Sequence, residues 1–267
     1  MHPTTAWPQG VLDPHGPIAA AERTLLLDAT VVMAAVVVPV IVLALAFAWW
    51  FRAGNTWARR LPDWAWSGPI EVTVWSIPVL VIVFLGGMAW IGAHELDPAR
   101  PVAAAPGGAA PLEVQVVSLD WKWLFIYPAQ GVASVNRLVV PVGAPLRLQL
   151  TSASVMNSFF VPQLGSQIYT MGGMATTLQL RADHVGRYPG LSAQFSGDGF
   201  SDMRFDADVL PAAAFADWLA SARAQPQALD MPAYLQLARP GTAGSAVFGR
   251  VEPGLFQHVL AHTTGAH

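Results

Sequence analysis

The chain has 267 residues, room for one or two domains. More than half of it is apolar and only 12% is charged, about half the usual charged share of a soluble globular protein, and two long apolar runs near the N-terminus account for most of that imbalance. A net charge of −3 with no run of Lys or Arg argues against nucleic acid as a partner, and the absence of cysteine excludes disulfides, iron–sulfur clusters, zinc ribbons and thiol catalysis while leaving the redox compartment open.

Residues 1–24 are rich in Pro, Gly and Ala, and LDPHGPI at Leu12–Ile18 reads as an extended or turning segment. No basic stretch with a short apolar core and cleavage site is visible, so no secretory signal peptide is predicted. Leu25–Phe51 is almost wholly apolar, interrupted by Asp28 and Thr30 near its start. At about 1.5 Å per residue such a helix reaches roughly 40 Å, enough to span a bilayer with some tilt. Pro39 would break a soluble helix, but in a membrane neighbouring groups satisfy the freed carbonyl. Trp49 and Trp50 suit a headgroup-level aromatic belt.

The loop Arg52–Gly68 carries Arg52, Arg59 and Arg60 against a single acid, Asp63. Ile70–Ala93 predicts a second spanning helix of roughly 36 Å. Ser67 or Gly68 can cap it, and Pro69 suits its first turn. The flanking regions hold one arginine each, Arg23 and Arg100, so the excess in the loop places it in the cytoplasm and both termini outside. His94, Glu95 and Asp97 come next, and residues 94–111 read as a linker with a flexible part at Pro101–Pro111.

From Leu112 the period becomes two. In Pro145–Thr151 the apolar Leu146, Leu148 and Leu150 alternate with Arg147, Gln149 and Thr151, and Thr176–Arg181 behaves likewise. Glu113–Leu119, Trp121–Tyr127, Asn136–Val140, Ser158–Val161, Gly186–Ser192 and Met203–Val209 are further strand candidates, separated by Gly, Pro or Asn clusters. Many short strands at this spacing predict a β-sandwich or barrel over residues 112–210. Residues 211–267 return to helical signals: Ala212–Ala224 is Ala-rich, and Pro226, Pro232, Pro240 and Pro253 divide the remainder into short pieces. The expected architecture is a membrane-anchored all-β protein, with a helical hairpin over residues 25–93, the β-domain and a short helical C-terminal segment.

The stretch Gly186–Met203, GRYPGLSAQFSGDGFSDM, has the length and turn residues of a metal loop but not the donors. Together with VMNSFF at Val155–Phe160 it resembles subunit II of the haem–copper respiratory oxidases, a likeness that spans roughly Leu12–Met203. In copper-bearing members an earlier His joins a loop with Cys, Glu, Cys, His and Met. Carried onto this sequence, the earlier His falls at Asn157, the two Cys at Ser192 and Ser196, the Glu at Gln194 and the second His at Phe200. Met203 alone is retained. Serine hydroxyls are hard, poor copper ligands and a phenyl ring offers no donor. Hydrogen bonds among Ser192, Ser196, Gln194 and Asn157 would then satisfy the loop, with Phe200 filling the volume of an imidazole.

DWKWLFIYP at Asp120–Pro128, SVMNSFFVPQLGSQIYTM at Ser154–Met171 and FSGDGFSDM at Phe195–Met203 resemble the copper-less, bo-type quinol oxidase branch of that family. Phe215, Trp218, Tyr234, Leu237, Pro240, Phe248 and Phe256 are similar to the aromatic-rich C-terminal segment of that branch. The resemblance implies a cupredoxin-like sandwich, a bacterial inner-membrane location with the β-domain periplasmic, and assembly with subunits I, III and IV. It also implies no cofactor in this chain: haems and copper would sit in subunit I, where ubiquinol is oxidised. Members commonly begin with a lipoprotein signal and an acylated Cys, and neither is visible here.

Three further features carry expectations. Glu71, near the start of the second helix, is a favourable charge on the helix dipole on its own terms. By resemblance, through PIEVTVWSIP, it sits at the mouth of a proton pathway into subunit I. Trp121 and Trp123 stand at i and i+2, on one face of a strand; in the copper branch an aromatic here passes electrons to copper, and packing is the plainer role. His94 and His184 look isolated, whereas His258 and His262 form an i, i+4 pair expected on a solvated helix face, with no other metal ligand in view. The reading is a non-catalytic subunit of a quinol oxidase. A copper-bearing electron-transfer module of the cytochrome c oxidase kind, or a membrane-tethered binding protein, are the alternatives.

Overall fold

The computed structural model describes residues 10–59, 61–105 and 110–262; Arg60 and part of the Pro101–Pro111 segment therefore lie outside the described residues. The chain divides into a helical unit, Arg23–Leu96, and a second unit of Met1–Glu22 with Asp97–His267.

The helices are α1 (Pro17–Trp50) and α2 (Gly68–Glu95), each long and apolar enough to cross a membrane. Their apolar side chains face all directions rather than forming one stripe, and most are exposed, as in a segment whose solvent is lipid. α1 starts at Pro17, earlier than the apolar run: proline needs no amide partner in a first turn, and Ala20 N–H already donates to the Gly16 carbonyl at 3.0 Å. The extended reading of Leu12–Ile18 therefore ends at Gly16. At the other end, Arg52 donates to the Trp49 carbonyl at 2.9 Å and lies 4.7 Å from the Trp49 ring centre. α2 has Ser67 at its N-cap, but the hydroxyl makes no capping bond, and Pro69 occupies the first turn. The helices approach closely at Gly92, where a Cβ would lie 3.1 Å from Leu25.

The second unit is a two-sheet sandwich. Its strands are β1 (Leu112–Leu119), β2 (Lys122–Tyr127), β3 (Val132–Val135), β4 (Arg137–Pro141), β5 (Pro145–Ser152), β6 (Asn157–Phe160), β7 (Ile168–Thr170), β8 (Thr176–Arg181), β9 (Gly186–Ser192) and β10 (Arg204–Leu210). After them come α3 (Ala212–Arg223), β11 (Ala228–Leu229), α4 (Met231–Leu237), β12 (Ala246–Phe248), β13 (Arg250–Val251) and α5 (Leu255–His262). One sheet runs β12-β3-β2-β1-β5-β8 and the other β4-β10-β9-β6-β7. Only β1–β5 and β4–β10 pair in parallel within these two sheets. Between the sheets Trp123, Phe125, Phe159 and Phe205 form an aromatic cluster with neighbouring ring centres 5.0–6.4 Å apart.

β1 and β2 are buried on both faces, so VQVV and KWLFIY are near-continuous apolar runs rather than alternating ones. The covering layer is the C-terminal segment. Leu229, Tyr234, Leu255, Phe256 and Val259 pack on Val117, Leu119, Leu124 and Ile126. Lys122, buried at the start of β2, donates to the carbonyls of Arg239 (2.8 Å) and Gly241 (2.7 Å) and pins this layer down. On the other side, Trp218 of α3 meets Tyr127 edge-on at 5.2 Å.

Candidate functional site

β9 delivers Ser192 to its last position, and β6 starts at Asn157, two residues before the Phe159↔Ser192 pair. That register brings the two side chains together. Ser192 Oγ donates to Asn157 Oδ1 at 3.1 Å, and Asn157 Nδ2 donates to the Val155 carbonyl at 3.1 Å. The Gln194 backbone carbonyl lies 3.2 Å from the same hydroxyl, whereas its side chain takes no part in this bonding. Met203 is buried in the core and closes the loop through its carbonyl, which accepts from Ser192 N–H at 3.1 Å. Behind these residues runs a buried polar chain: Ser118 and Thr170 hydroxyls meet at 2.8 Å, and Thr170 reaches the Asn157 carbonyl at 3.4 Å. Ser118 and Thr170 lie far apart in sequence, and nothing in their local pattern marks them.

One expectation needs correction. Ser196 Oγ is buried without a hydrogen-bond partner among the described residues, so the loop does not satisfy all its own hydroxyls. Phe200 begins a short 3-10 turn, half-buried, with its ring edge-on to the exposed Phe195 at 5.6 Å. Its ring partner is the loop's own phenyl.

Trp121 is not on the strand. It lies in the two-residue turn between Leu119 and Lys122, with φ of 69°, and its N–H donates to the Leu119 carbonyl at 2.8 Å. The turn was hidden because Trp121 is an aromatic of the kind strands favour and stands directly before β2. Trp121 and Trp123 therefore do not share a strand face. Trp123 is fully buried between the sheets, while Trp121 lies over the loop and donates from Nε1 to the Ser196 carbonyl at 3.0 Å. A Cβ on Gly199 would come within 2.4 Å of the Trp121 ring, so the loop backbone can approach only because that residue is glycine.

These residues do not fit a thiolate-bridged copper pair. The hydroxyl at 192 is committed to an amide oxygen, no sulfur stands at 196, and the phenyl at 200 has no lone pair to offer. Among the described residues no three His, Cys, Asp or Glu side chains converge as a metal site. His258 and His262 stack at 3.8 Å on exposed positions of α5. His184 is not isolated: its ring meets His15 at 5.4 Å, and His15 Nε2 lies 3.1 Å from Asp13.

In the helical unit, Glu71 is exposed and is the acid in the first turn of α2. The Trp66 indole N–H donates to Glu71 Oε2, a partner that the sequence alone did not supply. The spacing of five across a helix start gives no periodic signal.

Comparison with known proteins places these observations. The periplasmic-domain family of cytochrome c oxidase subunit II matches residues 114–212, and the cytochrome oxidase aromatic-rich motif matches residues 223–265. Among solved structures, the periplasmic domain of subunit II of cytochrome oxidase from Bradyrhizobium japonicum aligns with a TM-score of 0.40 and 26% identity, over 42% of this chain and 94% of that one. Two apolar helices leading into a cupredoxin-like domain define a haem–copper oxidase subunit II. The cytochrome bo(3) ubiquinol oxidase subunit 2 of Pseudomonas aeruginosa is 48% identical over 94% of this chain and 75% of its own length. The ubiquinol oxidase subunit 2 of Acetobacter aceti is 47% identical over 94% and 81%, and the quinol oxidase subunit 2 of Bacillus cereus 31% over 89% and 81%. The chain belongs to the ubiquinol oxidase subunit 2 family.

Proposed function

We propose that this chain is the second subunit of a proton-pumping quinol oxidase that reduces oxygen to water, and that it carries no redox centre of its own. Quinol oxidation and oxygen reduction take place in subunit I, on haems and copper. This chain braces subunit I through α1 and α2, joins subunits III and IV in the bacterial inner membrane, and holds the sandwich and both termini in the periplasm. Its domains are an N-terminal segment to residue 24, the hairpin to 93, a linker to 111, the cupredoxin-like domain to 210 and the aromatic-rich segment beyond. Glu71 takes protons toward subunit I at the cytoplasmic end of α2, as an ionisable group at a membrane helix end is suited to do.

One observation carries the copper-less reading: Ser192 Oγ donates to Asn157 Oδ1, a closed hydrogen bond at positions where an electron-accepting metal pair would need thiolate and imidazole. Electrons therefore reach subunit I from quinol within the membrane and do not pass through the loop. The test is purification from membranes by a tag on this chain, with haem spectra, copper analysis of the isolated subunit and quinol-driven oxygen uptake as readouts. Co-purifying haem, quinol-dependent turnover and no copper in this subunit are expected. Stoichiometric copper here, or oxygen uptake driven by cytochrome c through this chain, overturns the proposal.

A further inference from the structure

We infer that Trp66 is a positioning residue for Glu71, holding one carboxylate oxygen in place and leaving the other free to exchange protons. The inference rests on the proton-uptake reading of Glu71 above.

The first turn of α2 is short of partners. Pro69 has no N–H, and the Ser67 hydroxyl makes no capping bond, so nothing in a capping box claims the Glu71 carboxylate. The one hydrogen bond it receives among the described residues comes from Trp66 Nε1, onto Oε2. The indole is largely exposed but lies beside Gly68: a Cβ there would stand 3.2 Å from Trp66 Cη2 and 3.4 Å from Cζ2, so the ring lies against bare backbone at the helix start. Any side chain at 68 would crowd it.

The choice of donor matters chemically. Lysine or arginine at this point would hold the carboxylate ionised through its charge and resist proton uptake. An indole N–H is a neutral donor with no acceptor and no proton to give near neutral pH. It therefore orients the carboxylate while favouring its ionised form less than a full positive charge would. Oε1 receives no hydrogen bond among the described residues, and Glu71 is exposed.

The experiment uses the assembled oxidase in membranes, with haem content as the control for assembly. The readout is the proton-limited phase in reduction of the haem–copper site, recorded across pH. Trp66→Phe keeps a ring over Gly68 but removes the N–H; it is expected to slow this phase about three- to tenfold and to shift its pH profile. Trp66→Gln removes the ring but places an amide nitrogen at the same bond distance from Cβ, and is expected to recover to within about twofold of the parent. In a Glu71→Ala background, itself slow, Trp66→Phe is expected to add nothing.

A purely structural indole predicts the opposite order, with Phe tolerated and Gln not, and that result overturns the inference. So does a Trp66→Phe effect that persists at full size in Glu71→Ala. If Glu71→Ala is slow while Trp66→Phe matches the parent, the positioning role alone falls. If Glu71→Ala itself runs at the parent rate, the proton role of Glu71 falls and this inference goes with it.

Discussion

Ser192 Oγ and Asn157 Oδ1 stand 3.1 Å apart at the seam between β9 and β6, both side chains essentially without solvent. The same hydroxyl lies 3.5 Å from Ser158 N–H. Ser192→Ala strips a donor from a buried amide oxygen and is expected to destabilise the fold by about 1–3 kcal/mol. Quinol-driven oxygen uptake per assembled complex should be unchanged. Denaturation midpoints and turnover, measured on the same preparations, check both halves; a large loss of turnover with the complex intact would put this loop on the electron path.

Tyr127 and Val139 exchange two bonds: the phenol donates to the Val139 carbonyl at 3.0 Å and accepts from its N–H at 2.8 Å. Tyr127 is fully buried, and that burial pushes its ionisation far above the ordinary phenol range. Tyr127→Phe keeps the ring against Trp218 but leaves the N–H and carbonyl of Val139 unpaired. A loss of about 2–4 kcal/mol is expected, since each orphaned group costs about 1–3 kcal/mol. Equilibrium unfolding of the variant checks it, and a loss below about 0.5 kcal/mol would mean that Val139 finds other partners.

Much of this architecture was legible in the sequence because two strong signals carry it. The apolar runs could only be spanning helices or a buried core, and Leu146, Leu148 and Leu150 of β5 alternate as a strand with one polar face should. What was hidden is what tertiary packing decides. β3 and β7 are short and weakly patterned, and pairing with longer neighbours makes them strands. Trp121 has the side chain of a strand residue but the backbone of a turn. The meeting of Asn157 with Ser192 came from the likeness to metal loops, whereas the Ser118–Thr170 chain behind it did not, because hydroxyls far apart in sequence carry no pattern until the sheets are laid together.

Gly199 is set by the approach of the loop to Trp121. A methyl group there would fall 2.4 Å from the indole, well inside contact distance. Gly199→Ala must therefore move the ring, and with it the bond from Trp121 Nε1 to the Ser196 carbonyl. The expected cost is about 1–3 kcal/mol, as for overpacking elsewhere. Loop cleavage by a protease should speed up with it. Gly197→Ala would add a methyl group 3.3 Å from the same ring and would also strain a backbone at φ of 105°. Unchanged stability in Gly199→Ala would show that the indole can leave its seat freely.

Lys122 ties the C-terminal layer to β2 through two carbonyls, and burial pushes its ammonium below the ordinary lysine range, with Asp120 pulling partly back. Because the folded-state value is the lower one, the unfolded chain binds the proton more tightly over the interval between the two. Stability from this group is therefore flat below the folded value, rises with pH through the interval, and is flat again above the ordinary lysine value. Tyr234, pushed up to about 12 by burial, works against stability at higher pH, but equally in any Lys122 variant. Lys122→Met is expected to lose about 1–2 kcal/mol at neutral pH, as two carbonyls lose a donor. The gap between parent and variant should then widen as pH climbs toward the ordinary lysine range, because only the parent gains. Denaturation midpoints of both proteins over that range check the sign. A gap that closes instead would mean that the charged ammonium contributes more to the latch than its burial costs.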